Sequence, residues 1–271
     1  MNKVLGIALT LLLSSFAQAK PLFSEYKTTL LDVNDKEGLI QDSPSFIVGS
    51  SGIVMHAFDA KTSTIIVRFD VIKKENGKAT VRFEPFRMLA QGAFPDTGVK
   101  PTVGDSVIVN YLYDRSLLIA PNQTTYNEIS KKPLDIAWVH PDIVAAYLTK
   151  LYKPNPDKAV FQQACYQNTA SMITFAIKDK AYFVDCHNFN IVHIMQITPS
   201  TETQLPFYSR IKNIDSSLFN WGSSHIADYN NYYEYLLGQT ASLKDTSILS
   251  KDGIILNLPF TIVEKKDTLW K

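Results

Sequence analysis

Cysteine is scarce in this sequence of 271 residues, with Cys165 and Cys186 the only two. That count excludes a small disulfide-framework fold, and the lack of a cysteine near the amino terminus excludes a lipid anchor made there. Long apolar runs are missing as well. The stretch Val4–Leu13 is well short of the roughly 20 residues that cross a bilayer as a helix, so no integral span is expected after processing. An excess of one charge is a third absence: 27 Lys and Arg face 26 Asp and Glu, and no basic cluster exceeds a pair. Nucleic-acid and anionic-membrane binders neutralise phosphate charge with clustered cations, so both classes are disfavoured. No Gly-x-Ser-x-Gly elbow, phosphate loop or dinucleotide fingerprint occurs either, which removes the chemistries that motifs name most directly.

What is present starts at the amino terminus. Lys3, the apolar run Val4–Leu13 and the small-residue ending Ser14-Ser15-Phe16-Ala17-Gln18-Ala19 form an export signal. Residues 1–19 are expected to be removed after Ala19. The mature chain then begins at Lys20, in the periplasm or at the cell surface. Loss of Lys3 leaves basic and acidic residues in balance. An apolar share of 45%, with 15 Phe and 13 Tyr, is ample for a packed core in one large domain or two modest ones. In an exported chain the two cysteines predict one disulfide, Cys165–Cys186, contributing about 3 kcal/mol by loop entropy.

The patterning predicts an α+β fold: a β-rich barrel or sandwich N-terminal half (20–122), followed by a mixed helix-and-hairpin C-terminal half (123–271). In the first half, Phe46–Val48 and Ile53–Met55 read as strands flanking a turn at Gly49-Ser50-Ser51-Gly52. Ile65–Lys73 and Lys78–Glu84 read as a hairpin. Opposing its apolar faces requires Val71 against Val81 and Phe69 against Phe83, which predicts a three-residue Glu75-Asn76-Gly77 loop. Gly104-Asp105 turns into the strand Ser106–Val109, continued by Tyr111-Leu112-Tyr113. Asp114-Arg115 turns again, and Leu117–Ile119 runs to Pro121-Asn122. In the second half, Pro141 opens a helix with Ile143, Tyr147 and Leu151 on one face, ended by Lys153-Pro154-Asn155-Pro156. Asp157 caps a short helix carrying Val160, Phe161 and Ala164 into Cys165. Met172–Ile177 and Ala181–Asp185 form a second hairpin, and Ile191–Ile197 a further strand. A last helical stripe of Ile226, Tyr229, Tyr233, Leu236 and Leu237 is opened by Ser223 or Ser224 and closed by Gly238.

No arrangement of these residues names a reaction. Cys186-His187 has the types of a nucleophile and its base, but adjacent strand residues face opposite ways, and a disulfide consumes the thiol. Cys165, Cys186, His187 and His193 are zinc-ligand types without zinc-ligand spacing, while His56, His140 and His225 are scattered. No metal and no cofactor are therefore assigned, and the chain is read as non-enzymatic. Tyr229, Tyr232, Tyr233 and Tyr235 could stack a sugar, although two of the four lie on the apolar stripe, which favours packing. Asn122-Gln123-Thr124 has the form of a glycosylation acceptor.

Several runs together carry a resemblance: Val48-Gly49-Ser50-Ser51-Gly52-Ile53-Val54; Val103-Gly104-Asp105; Asn110-Tyr111-Leu112-Tyr113-Asp114-Arg115; Ile119-Ala120-Pro121-Asn122; Trp138-Val139-His140-Pro141-Asp142-Ile143; and Phe183-Val184-Asp185-Cys186. They resemble the amino-terminal domain of the plasminogen-binding proteins of spiral Gram-negative bacteria. The resemblance implies an exported envelope protein with a protein partner, plasminogen, captured through a carboxy-terminal lysine. Here Lys271, with Trp270, Lys266 and Lys265, would fill that role. A terminal lysine offers an ammonium and a free carboxylate on one residue, which an aromatic-walled pocket carrying opposite charges can clamp. Members of the family carry a long Lys/Glu-rich extension after this domain, which is not seen in this sequence. An alternative partner is a periplasmic assembly such as the polar flagellar motor, with this chain as a structural scaffold component.

Overall fold

A computed structural model describes residues 21–85, 98–211, 214, 224–240 and 248–250. The expected signal peptide lies outside the described residues, as do Lys265, Lys266, Trp270 and Lys271.

Seven strands make the first sheet: β1 (Tyr26–Thr29), β2 (Asp32–Val33), β3 (Glu37–Gln41), β4 (Ser51–Ala57), β5 (Ser63–Glu75), β6 (Lys78–Glu84) and β7 (Ser106–Val109). Their order is β1-β7-β4-β5-β6-β3-β2, with antiparallel pairing throughout. The sheet curls into a half-barrel that brings β1 close to β3. Strand alternation decides what the curl encloses: Val67, Phe69 and Val71 of β5 meet Val81 and Phe83 of β6, Val54 of β4 and Val107 of β7 in one core. Gly52 lies where a Cβ would stand 2.3 Å from the Phe69 ring and 2.4 Å from the Ile108 carbonyl, so only glycine admits that close approach.

The β5–β6 hairpin shows how register and turn are reconciled. Val71 opposes Val81 and Phe69 opposes Phe83, as the apolar faces require. The loop, however, has two residues rather than three: Glu75 pairs with Lys78, and Asn76 and Gly77 both take positive φ, 51° and 72°. That is the turn whose twist matches a hairpin. A bulge between Val71 and Lys73 absorbs the extra residue and restores the facing.

The second sheet begins at β8 (Arg115–Ile119). It continues through α1 (Gln123–Ser130), β9 (Ala137–Val139), α2 (Pro141–Leu151), α3 (Lys158–Gln167), β10 (Met172–Ile177), β11 (Lys180–Asp185) and β12 (Ile191–Gln196). Its order is β12-β11-β10-β8-β9, with β8 parallel to both β9 and β10. Ile173, Phe175 and Ile177 of β10 pack with Val144 and Leu148 of α2 and Phe161 of α3. Tyr229, Tyr233 and Leu236 of α4 (Tyr229–Leu236) join the same core. The opposite face takes Ile129 of α1 and the amino-terminal Leu22 and Phe23. A short ribbon of β13 (Ser224–Ile226) and β14 (Ile248–Ser250) completes the described elements. Among the described residues, no helix is long and apolar enough to cross a membrane.

The α+β class holds, with the curled sheet first and the helices later. Five local expectations are corrected. Phe46–Val48 is loop, where Gly49 takes φ +96° and Lys74 Nζ donates to the Phe46 carbonyl instead of a strand partner doing so. Tyr111-Leu112-Tyr113 is a turn, with Asn110 and Leu112 left-handed, and it carries the chain from the first sheet to the second. Asn122 caps α1, a helix the patterning did not reveal, through its side chain and Thr125 N. The core face of α2 is Val144, Ala145 and Leu148, whereas Ile143 is 50% exposed and Leu151 is also exposed. Finally, Asp228 caps α4, and Ile226 belongs to a strand rather than to that helix.

Candidate functional site

A buried polar cluster lies where the turn after β11 meets the outer face of the curled sheet. Alternation along β5 and β6 sends Arg68, Asp70, Arg82 and Glu84 to the side opposite the apolar core. That face would be solvated in an isolated sheet. Here the segment Asp185–Asn190 lies against it, so that Arg68 and Asp70 are buried. Asp185 is fully enclosed. Its Oδ2 accepts from the Ser51 and Tyr113 hydroxyls, the latter at 2.6 Å. Its Oδ1 accepts from the backbone N–H groups of His187 and Asn188, at 2.7 and 3.1 Å. Tyr113 OH in turn accepts from Ser51 N at 3.0 Å. Arg68 Nη2 donates to Ser51 Oγ at 3.0 Å.

Two further side chains of the same turn reach the first sheet. His187 Nε2 and Glu84 Oε2 are 2.6 Å apart. Asn188 Nδ2 donates to Asp70 Oδ1 at 2.8 Å and to the Gly49 carbonyl at 3.0 Å. Beside them an open cleft of about 350 Å³ is lined by Val48, Ile72 and Ile191, with Asp70 and Arg82 among its polar groups. The electrostatics follow from this packing. Burial pushes the Asp70 carboxyl above its ordinary range, against the pull of His187. The hydrogen bond from His187 holds the Glu84 carboxyl below its own, against its partial burial. Burial, reinforced by the Asp185 charge, drives the Tyr113 hydroxyl far above the usual phenol range.

Asp70, Glu84 and His187 place ligand-type atoms within 4.8 Å of one another, the chemistry a divalent cation would use. Their charges are matched within the protein: Arg82 Nη2 lies 3.4 Å from Asp70 and 3.7 Å from Glu84, and Glu84 already holds His187. Nor is Ser51 set up as a nucleophile, since its hydroxyl contacts an acid and a guanidinium rather than a histidine base. The cluster is a cross-link between two sheets.

The disulfide supports that cross-link. Cys165 at the end of α3 and Cys186 in the turn are joined, which ties the turn to the helical side of the second sheet. His187, next to Cys186, reaches Glu84 on the curled sheet, so the two neighbours act in different places. His193 lies against the Phe23 and Phe183 rings instead of beside His187. Tyr229, Tyr232 and Tyr233 are buried and donate to the carbonyls of Ile119, Pro156 and Pro206: they pack and anchor α4. Three of the runs singled out in the sequence supply residues that meet here: Ser51, Tyr113 and Asp185. Arg68, Asp70 and Glu84 were not legible as site residues, and His187, weighed in the sequence as a base or metal ligand, instead pairs with Glu84.

A curled antiparallel sheet bonded through a disulfide-stapled turn to a helix-covered sheet defines a two-sheet α+β module. The family model for the amino-terminal region of the plasminogen-binding protein pgbA matches residues 25–237, and the chain belongs to this family. Plasminogen-binding protein PgbA of two Helicobacter pylori strains is similar to it, each 27% identical over 171 residues. The alignment covers 62% of this chain and 37% of each relative. The chain thus matches well under half the length of those proteins.

Proposed function

We propose that this is an exported, non-enzymatic envelope protein that captures a protein partner, plasminogen, through lysine. The family match over residues 25–237 and the name of the relatives carry this reading. Lys271 is the proposed ligand, aided by Trp270, Lys266 and Lys265. Where Lys271 is the carboxy-terminal residue, its ammonium and carboxylate are the paired charges that a kringle-type pocket accepts. A second reading, a scaffold component of a periplasmic assembly, draws on a specific observation. The family match ends at residue 237, before these lysines, so the shared body has a role that they do not supply.

One set of measurements separates the two. Immobilised plasminogen is exposed to the wild-type protein and to a variant lacking Lys271, with and without a free lysine analogue. Lysine-dependent capture predicts loss of binding on deletion and competition by the analogue. Binding unaffected by both would move the contact away from the terminal lysine, and no binding by the wild type would leave the scaffold reading. In that case external protease should spare the protein in intact cells.

A further inference from the structure

The residues ahead of β1 form a strap that runs between the two sheets. β1 starts at Tyr26 on the curled sheet, while Leu22 and Phe23 pack on the second sheet, against the core of Ile129 and Phe183. Three contacts fasten the strap. Leu22 N donates to the Leu134 carbonyl at 3.2 Å. Asn110 Nδ2 donates to the Ser24 carbonyl at 3.1 Å. The Phe23 ring makes T-shaped contacts with Tyr113 at 5.4 Å and His193 at 6.1 Å, and leans against Phe183 at 5.9 Å. Residues 21–25 belong to no strand or helix, and a segment without a hydrogen-bonded ladder is among those that open locally at least cost.

His193 is the member of this group that titrates near neutral pH. It lies on β12 opposite Phe183, half-buried between that ring, 5.5 Å away, and Phe23. A protonated imidazole carries two N–H donors that need acceptors, and hydrocarbon rings supply none. Burial alone holds its pKa below the ordinary histidine value. The charged and titratable groups on the elements packed against this face are engaged elsewhere. Glu25 pairs with Lys27 at 3.6 Å, and Glu128 of α1 with Lys132 at 3.8 Å and with Thr198 N. Tyr126 of α1 faces His140 and Tyr208, and the Tyr113 hydroxyl donates to Asp185. Lys131 and Asp135 are exposed. Lys180 and Tyr182 of β11 point to the other face, by alternation with Ala181 and Phe183.

We infer that residues 21–25 form a pH-gated strap, docked on the second sheet while His193 is neutral and released when His193 takes up a proton and its ring must reach water. Proton uptake and undocking are then coupled, and each shifts the other by the same factor. The sign follows from the packing. The docked form binds the proton less readily than an open histidine does, so docking is complete above about pH 6.5, the ordinary histidine value. It weakens as pH falls below that, by up to about tenfold per pH unit. Release uncovers the Tyr113 and Phe183 rings that Phe23 touches. It leaves in place the β1–β7 ladder, which starts at Tyr26.

Amide exchange and proton NMR of the protein purified from the periplasm of an expressing host, between about pH 8 and pH 5, test this. The Leu22 N–H is expected to be protected at the upper end and to lose protection towards the lower one, after correction for the intrinsic rate, while the interior of β5 keeps its own. His193→Phe, which retains a ring and removes the proton site, should hold Leu22 protected throughout. In the reciprocal measurement, Phe23→Ala should move the titration of the His193 ring up towards that of an open histidine, with an unchanged circular dichroism spectrum. Five results would each overturn the inference. They are a Leu22 N–H unprotected even at the upper end, protection that does not vary with pH, a loss shared with β5, the same loss in His193→Phe, and a His193 titration indifferent to Phe23→Ala.

Discussion

Asp185 uses both carboxylate oxygens, one on hydroxyls delivered by Ser51 and Tyr113 and one on the backbone of its own turn. Removing it leaves two buried hydroxyls and two half-buried N–H groups without their acceptor, with the Arg68 guanidinium close to Ser51. Each unsatisfied buried group costs about 1–3 kcal/mol, and breaking a buried charged network about 3–5. Asp185→Ala is therefore expected to destabilise the protein by about 3 kcal/mol or more, while Ser51→Ala, which leaves Tyr113 in place, costs about 1 kcal/mol. Urea denaturation of the two variants measures both, and near-equal costs would refute the central place given to Asp185. At this scale the sequence was partly legible. The apolar faces of the β5–β6 hairpin were legible, and the alternation that makes them leaves Arg68, Asp70, Arg82 and Glu84 on the other side. What covers that face is a turn about a hundred residues further on, as for Glu84 and His187, and strand periodicity carries no information about so distant a partner.

Elements built on a strong local signal were the most legible: the β5–β6 register, the β10–β11 hairpin, the Asp157 cap and the proline stop after α2. Where large apolar residues surround a helix, the signal misleads. In α2 the bulky Ile143 and Leu151 face outward, while Ala145 with Val144 and Leu148 packs into the core shared with β10. In α4 the tyrosine stripe was read correctly as packing, and its chemistry gives a pH prediction. Burial raises Tyr229, Tyr232 and Tyr233 above the usual phenol range, as it does Tyr113. The unfolded chain loses those protons near pH 10 while the folded one retains them. Stability is thus complete below about pH 10 and lost as pH rises. Each such tyrosine steepens the loss by about 1.4 kcal/mol per pH unit. Denaturation midpoints between about pH 9 and 12 should therefore fall steeply, and Tyr233→Phe should flatten the slope by about one tyrosine's share. An unchanged slope in that variant would show that Tyr233 ionises in the folded state.

Separate apolar clusters fill the curled sheet and the two faces of the second sheet; the turn after β11 is one of the links between the sheets, and the disulfide decides how firmly that turn is held. Cys165 and Cys186 are separated by 21 positions, and closing a loop of that size in the unfolded chain contributes about 3 kcal/mol by the entropy model. A second effect is local. Asp185, His187 and Asn188 reach across to the curled sheet, and Cys186 sits among them, fastened to α3. Replacing both cysteines by serine removes the fastening without touching a cross-sheet hydrogen bond. Global stability should fall by about 3 kcal/mol. In native-state amide exchange, the N–H of Ser51, which donates to Tyr113, and that of Cys186, which donates to Ser171, should lose protection ahead of the strand interiors of β5 and β10. That order of opening, junction first and sheets later, is expected of a stapled junction between separately packed sheets. Uniform loss of protection across both sheets would mean that the cores unfold as one unit, with the disulfide acting on the unfolded chain alone.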